Sequence, residues 1–193
     1  MRRLLFLLPL ALLACTDEDA SDTVIQGVTS TSTTSAPSTS TSTTSSTGST
    51  PTTAFDGSTT PTSIASTASG VTQLVGVDVA AERVTFTFRD EVPGIDVKYV
   101  DPPITEDASG EEVHVAGAAF LSIRFEPSSG YDMEAGAPTY EGPDRLPGEG
   151  AVAEVVRTGD FEANLSWVIG LDAEVPFRVE VTDGSVEVLI AAS

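Results

Sequence analysis

The sequence has very few of the residues that most catalytic and metal sites require. Its 193 residues include one cysteine and one histidine. Nucleophilic catalysis needs a histidine beside the nucleophile, and a zinc site of nitrogen and sulfur ligands needs three or four such side chains. His114, in Val113-His114-Val115, alternates with β-branched residues and is interpreted as a half-exposed strand or loop residue. We therefore predict no enzyme, no metal site and no cofactor.

Basic residues are also scarce. Nine Lys and Arg stand against 29 Asp and Glu, which gives a formal net charge of −20. Binding to a phosphate backbone requires a basic stripe, so nucleic acid is excluded as a partner. Anionic lipid headgroups would repel the chain as well. Solubility alone explains such acidity, and close docking to an anionic wall polymer is disfavoured.

The many carboxylates leave two further hypotheses open. A glycosidase needs two acids about 5 to 10 Å apart across a cleft, and residue counts cannot test this. A calcium site could use the acids of one Gly/Pro-rich stretch, namely Asp132, Glu134, Glu141 and Asp144. Their spacing matches no EF-hand loop, and solvated surface charge is the preferred interpretation of the acids.

The longest apolar run lies at the N-terminus and is short. Residues 4–14 follow Arg2 and Arg3 and are interrupted only by Pro9. About 20 residues are needed to span a bilayer, so the run fits the apolar region of a secretory signal. It ends in Leu12-Leu13-Ala14-Cys15, which resembles the lipobox of bacterial lipoproteins. The alternatives are an ordinary signal peptide with an incidental cysteine and a short uncleaved anchor.

The lipobox resemblance implies removal of residues 1–14 and attachment of lipid to Cys15, on the extracytoplasmic face of the cell membrane. Loss of Arg2 and Arg3 would change the net charge from −20 to −22. The remaining chain would have no thiol and no possible disulfide, so its folded part must be stabilised by its own core.

Residues 15–70 are predicted to form a lipidated tether. The stretch 29–63 is almost entirely Ser and Thr with scattered Pro and Gly, and Asp56 is its only charged residue. Such a composition buries too little apolar surface to offset its conformational entropy, so we expect disorder. As a flexible coil, residues 16–70 would have a root-mean-square end-to-end distance of about 40 Å. Whether the tract is glycosylated or binds a ligand stays open.

Residues 71–193 have the length of one domain and a period of two. Apolar and polar residues alternate in Val84 to Phe88 and in Leu121 to Phe125. The same type of pattern predicts about eight strands, at residues 75–79, 84–88, 95–99, 121–125, 151–156, 161–169, 177–181 and 186–190. The predicted fold is all-β, a β-sandwich of mostly antiparallel strands. Trp167 is expected in the core, Phe161 is expected on the same apolar face of the strand 161–169, and 127–150 is expected to be a long loop.

Several runs of this domain carry a recognisable pattern: the residues from Pro93-Gly94 through Tyr99-Val100, Tyr140-Glu141-Gly142-Pro143, Gly159-Asp160-Phe161-Glu162, Trp167-Val168-Ile169-Gly170-Leu171-Asp172 and Pro176-Phe177-Arg178-Val179. Together they resemble the AMIN-like domain of actinobacterial lipoproteins. The resemblance covers residues 71 to 192. It implies a β-sandwich that acts as a non-catalytic localisation module and contacts peptidoglycan. The alternative is an accessory subunit that binds an envelope protein and no glycan.

Two groups of residues are candidates for ligand binding. Tyr140 lies in a Gly/Pro-rich turn, where its ring could stack on a sugar, and Arg145 follows it; the alternative is that Tyr140 plugs the edge of the sandwich. The second group consists of outward-facing bases that could be clustered: Arg89, Lys98, Arg124 and Arg178. Pairing with Asp96, Glu126 or Glu180 across neighbouring strands explains these bases equally well.

Overall fold

The computed structural model describes residues 55–192, which form thirteen strands and no helix. The strands are β1 (Thr62–Ile64), β2 (Thr72–Ala80), β3 (Arg83–Phe88), β4 (Gly94–Val100), β5 (Ala119–Glu126), β6 (Ser128–Ser129), β7 (Tyr131–Asp132), β8 (Ala137–Pro138), β9 (Arg145–Pro147), β10 (Val152–Phe161), β11 (Asn164–Leu171), β12 (Phe177–Thr182) and β13 (Ser185–Ile190). Within residues 55–192 nothing is helical, and so no helix there could span a membrane.

Two sheets build the sandwich. The larger has the order β1-β4-β5-β11-β10-β9, and the smaller has the order β12-β13-β3-β2-β6. Neighbouring strands are antiparallel except for the short β2/β6 pair. The alternation seen in the sequence places one face of each strand inside, as in β3, where Val84, Phe86 and Phe88 are buried. The predicted all-β sandwich is confirmed.

The core between the sheets is centred on Trp167, which is fully buried. Its ring packs edge-to-face against Phe86 of the opposite sheet at a centroid distance of 5.8 Å, and Phe86 packs against Phe125 at 4.9 Å. Edge-to-face contacts of this kind add about 0.5–1.5 kcal/mol beyond area burial. The prediction that Trp167 is a core residue is confirmed.

The ordered domain begins earlier in the chain than the sequence indicated. Ser58 exchanges two backbone hydrogen bonds with Phe177, of 3.0 and 2.9 Å, and β1 pairs with β4. The prediction of a disordered tether through Gly70 is therefore corrected for residues 55–70. The physical reason is that backbone groups of polar Ser and Thr can complete the edge of an existing sheet without supplying apolar side chains. Residues 15–54 of that tether, and Cys15 with its lipobox, lie outside the described residues.

A tight hairpin interrupts the strand predicted at 161–169. Glu162 and Ala163 have φ values of 51° and 59° and connect β10 to β11. Two consecutive residues with positive φ are typical of the type I′ turn, whose twist matches that of the flanking strands. The turn places Phe161 at the end of β10 with 56% of its surface exposed, so its predicted inward position is wrong.

Residues 101–118, which we call the strap, cross the outer face of the larger sheet. Ile104 and Val115 of the strap pack on Val156 and Val168, which point outward from β10 and β11, and form a second small core. Gly170 allows this close approach, because a Cβ there would overlap the carbonyl group of Ala116. β11 is consequently buried on both faces.

The segment 127–150 contains four short strands, β6 to β9, between turns. Little regular structure was expected there, and the longest of the four strands has three residues. Thr139 donates a hydrogen bond to the carbonyl oxygen of Leu74, at 2.7 Å. The segment therefore lies against the edge of the smaller sheet.

Candidate functional site: a groove beside the strap

A groove of about 640 Å³ lies on the outer face of the larger sheet, beside the strap. Its floor is a row of polar residues in register across the sheet: Ser63 of β1 lies opposite Asp96, Asp96 opposite Arg124, and Arg124 opposite Ser166 of β11. In the next row, Lys98 of β4 lies opposite Ser122 of β5. Alternation in β4 and β5 directs these side chains outward because their neighbours Val97, Ile123 and Phe125 face the core.

The walls of the groove come from three separate parts of the chain. The strap supplies one wall, with Asp101, Ile104 and Asp107. Asp107 is held in place by the hydrogen bond from its backbone N–H to the carbonyl oxygen of Thr158, at 2.9 Å. The hairpin between β10 and β11 supplies Phe161 and Asn164, and the chain leading into β1 supplies Pro61. Ligand sites of similar size combine apolar surface with a few polar groups, as this groove does.

Charges in the groove differ from those elsewhere on the molecule. Among residues 55–192, all six arginines make salt bridges with Asp or Glu; they are Arg83, Arg89, Arg124, Arg145, Arg157 and Arg178. Lys98 is the single lysine of the chain, and within the same residues no carboxylate lies within salt-bridge distance of it. Lys98 is exposed and lines the groove. The groove therefore presents one uncompensated ammonium group.

Arg124 lies diagonally across the β4/β5 ladder from Lys98, and its guanidinium group is already engaged. It donates from Nε to Oδ1 of Asn164, at 2.9 Å, and pairs with Glu126 at 3.2 Å. Asn164 in turn donates to the carbonyl oxygen of Glu162 in the hairpin. Arg124 thus fixes the hairpin that carries Phe161 and contributes a guanidinium edge to the groove.

The structure does not bring the four predicted bases together. Lys98 and Arg124 share the groove, whereas Arg178 lies on β12 of the other sheet and Arg89 follows β3 of that sheet. Arg178 pairs with Glu180 two residues further along its own strand, and its guanidinium carbon lies 5.7 Å from the centre of the Phe55 ring. The four bases therefore do not form one cluster, because alternation assigns a side chain to one face of a strand but does not identify the sheet to which the strand belongs.

Tyr140 is not available for stacking on a sugar. Only 6% of its surface is exposed, its ring packs edge-to-face on Trp167 at 5.6 Å, and its hydroxyl group donates to the carbonyl oxygen of Pro143 at 2.9 Å. Burial raises the pKa of the Tyr140 phenol above its usual value, an effect that the Arg157 guanidinium partly opposes. The structure therefore agrees with the alternative interpretation, in which Tyr140 plugs the edge of the sandwich. Its ring fills the core beneath the segment 127–150.

Arg145 fastens the strap. Its guanidinium group donates to Glu154 at 3.0 Å and to the carbonyl oxygen of His114 at 2.8 Å, while Glu154 also accepts the backbone N–H of Ala116 at 3.0 Å. Tyr140 and Arg145 therefore do not form one binding surface. His114 lies exposed in the strap, and its backbone carbonyl group makes this contact.

Two of the four candidate calcium ligands in the segment 127–150, Asp132 and Asp144, have partners within the protein. The backbone N–H groups of Ala135 and Glu134 donate to Asp132, and together with Gln73 and Arg89 they hold the pKa of that carboxyl group below its usual value. Asp144 pairs with Arg157. Within residues 55–192, no three His, Cys, Asp or Glu side chains converge as metal ligands.

Among the residues that line the groove, only Lys98 and Arg124 were ligand-binding candidates from the sequence. Asp101 and Asp107 belong to the strap, which has no strand periodicity, and Phe161 was assigned to the core. One signal was present: Pro102-Pro103 directly after β4 indicates that the chain leaves the sheet there. That signal does not indicate where the chain returns.

Comparison with known families identifies the sandwich from β2 to β13. The family model for the AMIN-like domain matches residues 72–191, from the start of β2 to just past β13. No curated protein and no solved structure matches the chain at a significant level. The match covers more than half of the chain, and AMIN-like domains are generally non-catalytic binding domains associated with the cell envelope. The chain belongs to the AMIN-like domain family.

Proposed function

We propose that this protein is a non-catalytic, lipid-anchored module that binds peptidoglycan or another wall component through the groove beside the strap. Cys15 carries the lipid and holds the protein on the extracytoplasmic face of the membrane, as in the actinobacterial lipoproteins that the sequence resembles. Family membership supports an envelope-associated binding module. The composition of the chain, with a single histidine and a single cysteine, supports a non-catalytic role.

The exposed ring of Phe161 beside uncommitted polar groups is the observation that carries this proposal. The hairpin holds the ring at the groove wall, although 56% of its surface contacts water. Ligand pockets are lined by aromatic and other apolar side chains with a few polar groups, and Phe161 in the wall of this groove fits that pattern. Wall polymers offer sugar faces and alanine methyl groups, both of which can pack on such a ring.

Retention on insoluble peptidoglycan tests the proposal. Full-length protein in mild detergent should sediment with purified sacculi, and Phe161→Ala should reduce the retained fraction severalfold with little change in stability, because the ring is exposed. Tyr131→Ala is the matched control: Tyr131 is an exposed aromatic residue of β7 outside the groove. Equal retention of wild type and Phe161→Ala would exclude the groove, and no retention of wild type would exclude wall binding.

A second candidate function is supported by the β7–β8 hairpin. Met133 is 85% exposed at its turn and Tyr131 is exposed beside it. Met and Tyr are enriched in protein–protein interfaces. If the protein is instead an accessory subunit of an envelope complex, Tyr131→Ala should weaken co-purification with the partner protein and Phe161→Ala should not.

A further inference from the structure

We infer that the groove binds the peptide part of its ligand, and that Lys98 receives a free carboxylate group of that peptide. The inference rests on the proposed function and deepens it by assigning a ligand class to the groove. The occupant is a short peptide with a carboxylate at one point and neutral or amine-bearing groups elsewhere.

The first support is the isolation of Lys98. In a chain with 29 acidic residues, every arginine of residues 55–192 has a carboxylate partner, and Lys98 has none. Its own strand neighbours on the same face are Asp96 and Val100, and Ser122 lies opposite it. Asp96 accepts a hydrogen bond from Ser63, which commits one of its oxygens to β1. The ammonium group of Lys98 therefore faces the groove with its donors available to an anion.

The second support is the distribution of negative charge around Lys98. Asp101 and Asp107 line the same groove, and within residues 55–192 neither makes a salt bridge. A polymer with a phosphate on every unit would meet these carboxylates and the overall charge of −20. A ligand with a single carboxylate meets far less of that repulsion than a polyanion, and an amine on the same ligand would be attracted to Asp101 and Asp107. The groove thus selects a zwitterionic ligand over a polyanion.

The third support is the chemistry of the floor. Ser122, which is half-buried, and Ser166 and Thr158, which are largely buried, line the groove, and a hydroxyl group can exchange hydrogen bonds with peptide N–H and C=O groups. The volume of about 640 Å³ is within the range for small-molecule sites and suits a few residues of peptide. Phe161 and Ile104 supply apolar surface for small side chains such as methyl groups.

Because Lys98 is the only lysine, its side chain can be observed alone. We would label lysine selectively with ¹³C and ¹⁵N in the full-length protein and titrate four probes: trialanine, trialanine C-terminal amide, an N-acetylglucosamine oligomer and inorganic phosphate. Trialanine should shift the ε-methylene signal of Lys98 in a saturable way, whereas the amide, the glycan and phosphate should not. Equal shifts with trialanine and its amide, or a shift with the glycan alone, would overturn the inference.

Variants separate this inference from a general charge effect. Lys98→Gln should weaken trialanine binding at least tenfold and reduce retention on sacculi, and Lys98→Arg should restore most of both, because it keeps the charge. Arg83→Gln removes one positive charge from the smaller sheet, where Arg83 pairs with Glu187, and should change neither quantity.

The outcomes distinguish the two levels of the proposal. If wild type and Lys98→Gln are retained equally on sacculi, the inference that Lys98 binds a peptide carboxylate is rejected, and the proposal that the protein binds the wall is kept. If trialanine binds at Lys98 and the wild type is not retained on sacculi, the carboxylate site stands and wall binding fails. Absence of both signals rejects both.

Discussion

Trp167 illustrates, at the scale of one residue, how the sandwich is stabilised. Its ring contacts Phe86 of the opposite sheet and Tyr140 of the segment 127–150, so three parts of the fold meet on one side chain. Its indole Nε1 is buried and has no hydrogen-bond partner in the described part of the chain. The contribution of Trp167 to stability therefore comes from packing and not from a hydrogen bond.

Trp167→Ala should lower the free energy of unfolding by about 3–5 kcal/mol, because the neighbouring rings cannot close the cavity. Trp167→Phe should cost clearly less, since it keeps most of the volume and loses no hydrogen bond. Urea denaturation followed by circular dichroism measures both. Equal losses for the two variants would show that the indole N–H does matter.

Two buried phenols predict a loss of stability at alkaline pH. Burial raises the pKa of Tyr99 and of Tyr140 above the usual value of 10.0. A group whose pKa is higher in the folded state contributes stability that is complete below its unfolded pKa and is lost as pH rises through the folded pKa. The free energy of unfolding should therefore fall above about pH 10. Urea denaturation between about pH 8 and pH 11 should show this fall, and Tyr140→Phe should make it shallower. An unchanged slope in Tyr140→Phe would contradict the assignment of this effect to Tyr140.

At the scale of secondary-structure elements, the β10–β11 hairpin uses an unusual turn sequence. Type I′ turns favour Asn-Gly because both central residues have positive φ, and here the residues are Glu162 and Ala163. An L-residue in this region costs about 1–2 kcal/mol relative to its preferred conformation. The hairpin nevertheless forms because the strands on either side pair along most of their length.

Ala163→Gly should therefore stabilise the protein by up to about 1 kcal/mol, because glycine adopts positive φ without strain. Thermal unfolding monitored by circular dichroism would show a higher midpoint. The control is Ala135→Gly in the turn after β7, where φ is not positive and glycine should give no gain. A lower midpoint for Ala163→Gly would mean that the methyl group contributes packing that outweighs the strain.

The strands and turns that the sequence predicted correctly are those whose pattern lies within a few consecutive residues. In β3, Val84, Phe86 and Phe88 alternate with polar residues, and the Asp183-Gly184 turn has its glycine at a φ of 81°. The prediction for Phe161 was wrong because Glu162-Ala163 does not have the residues typical of a tight turn. The alternating pattern continues across these two residues, so the predicted strand 161–169 included the turn.

The candidate site could not be predicted in the same way, because it depends on contacts between distant parts of the chain. Ile104 and Val115 of the strap pack on the outer face of a sheet, where the pattern predicts only water-facing residues. Lys98 and Arg124 were selected as outward bases, but their neighbours in the groove come from the strap and the hairpin. Of the four bases, only these two lie in the groove.

At the scale of the whole molecule, the ion pairs are a minor source of stability. Most involve half-exposed arginines, and exposed pairs contribute about 0.2–1 kcal/mol each. Among the Lys and Arg side chains of residues 55–192, only Lys98 makes no such pair. Since 29 acids face nine bases, salt should also weaken the mutual repulsion of the surplus carboxylates.

The proposed anchor is tested with Cys15→Ser in the full chain. The thiolate is the group that accepts lipid, and a hydroxyl group is a far weaker nucleophile, so incorporation of a fatty-acid probe should fall to background. Thr16→Ala keeps the thiol and should label normally. Undiminished labelling of Cys15→Ser would reject the lipoprotein proposal.

The way in which the chain enters the domain has a mechanical consequence. Residues 55–64 are bonded to both sheets in succession, first through Ser58 to Phe177 at the start of β12 and then through β1 to β4. A pulling force applied at the N-terminal side of Phe55 would load the contacts of Arg178 with Phe55 and Asp56 and the two Ser58–Phe177 hydrogen bonds, and would reach β1 only after these break. Ser63 of β1 lines the groove. A force on the N-terminal segment would therefore deform the groove only if it exceeds the force that breaks the contacts of residues 55–58.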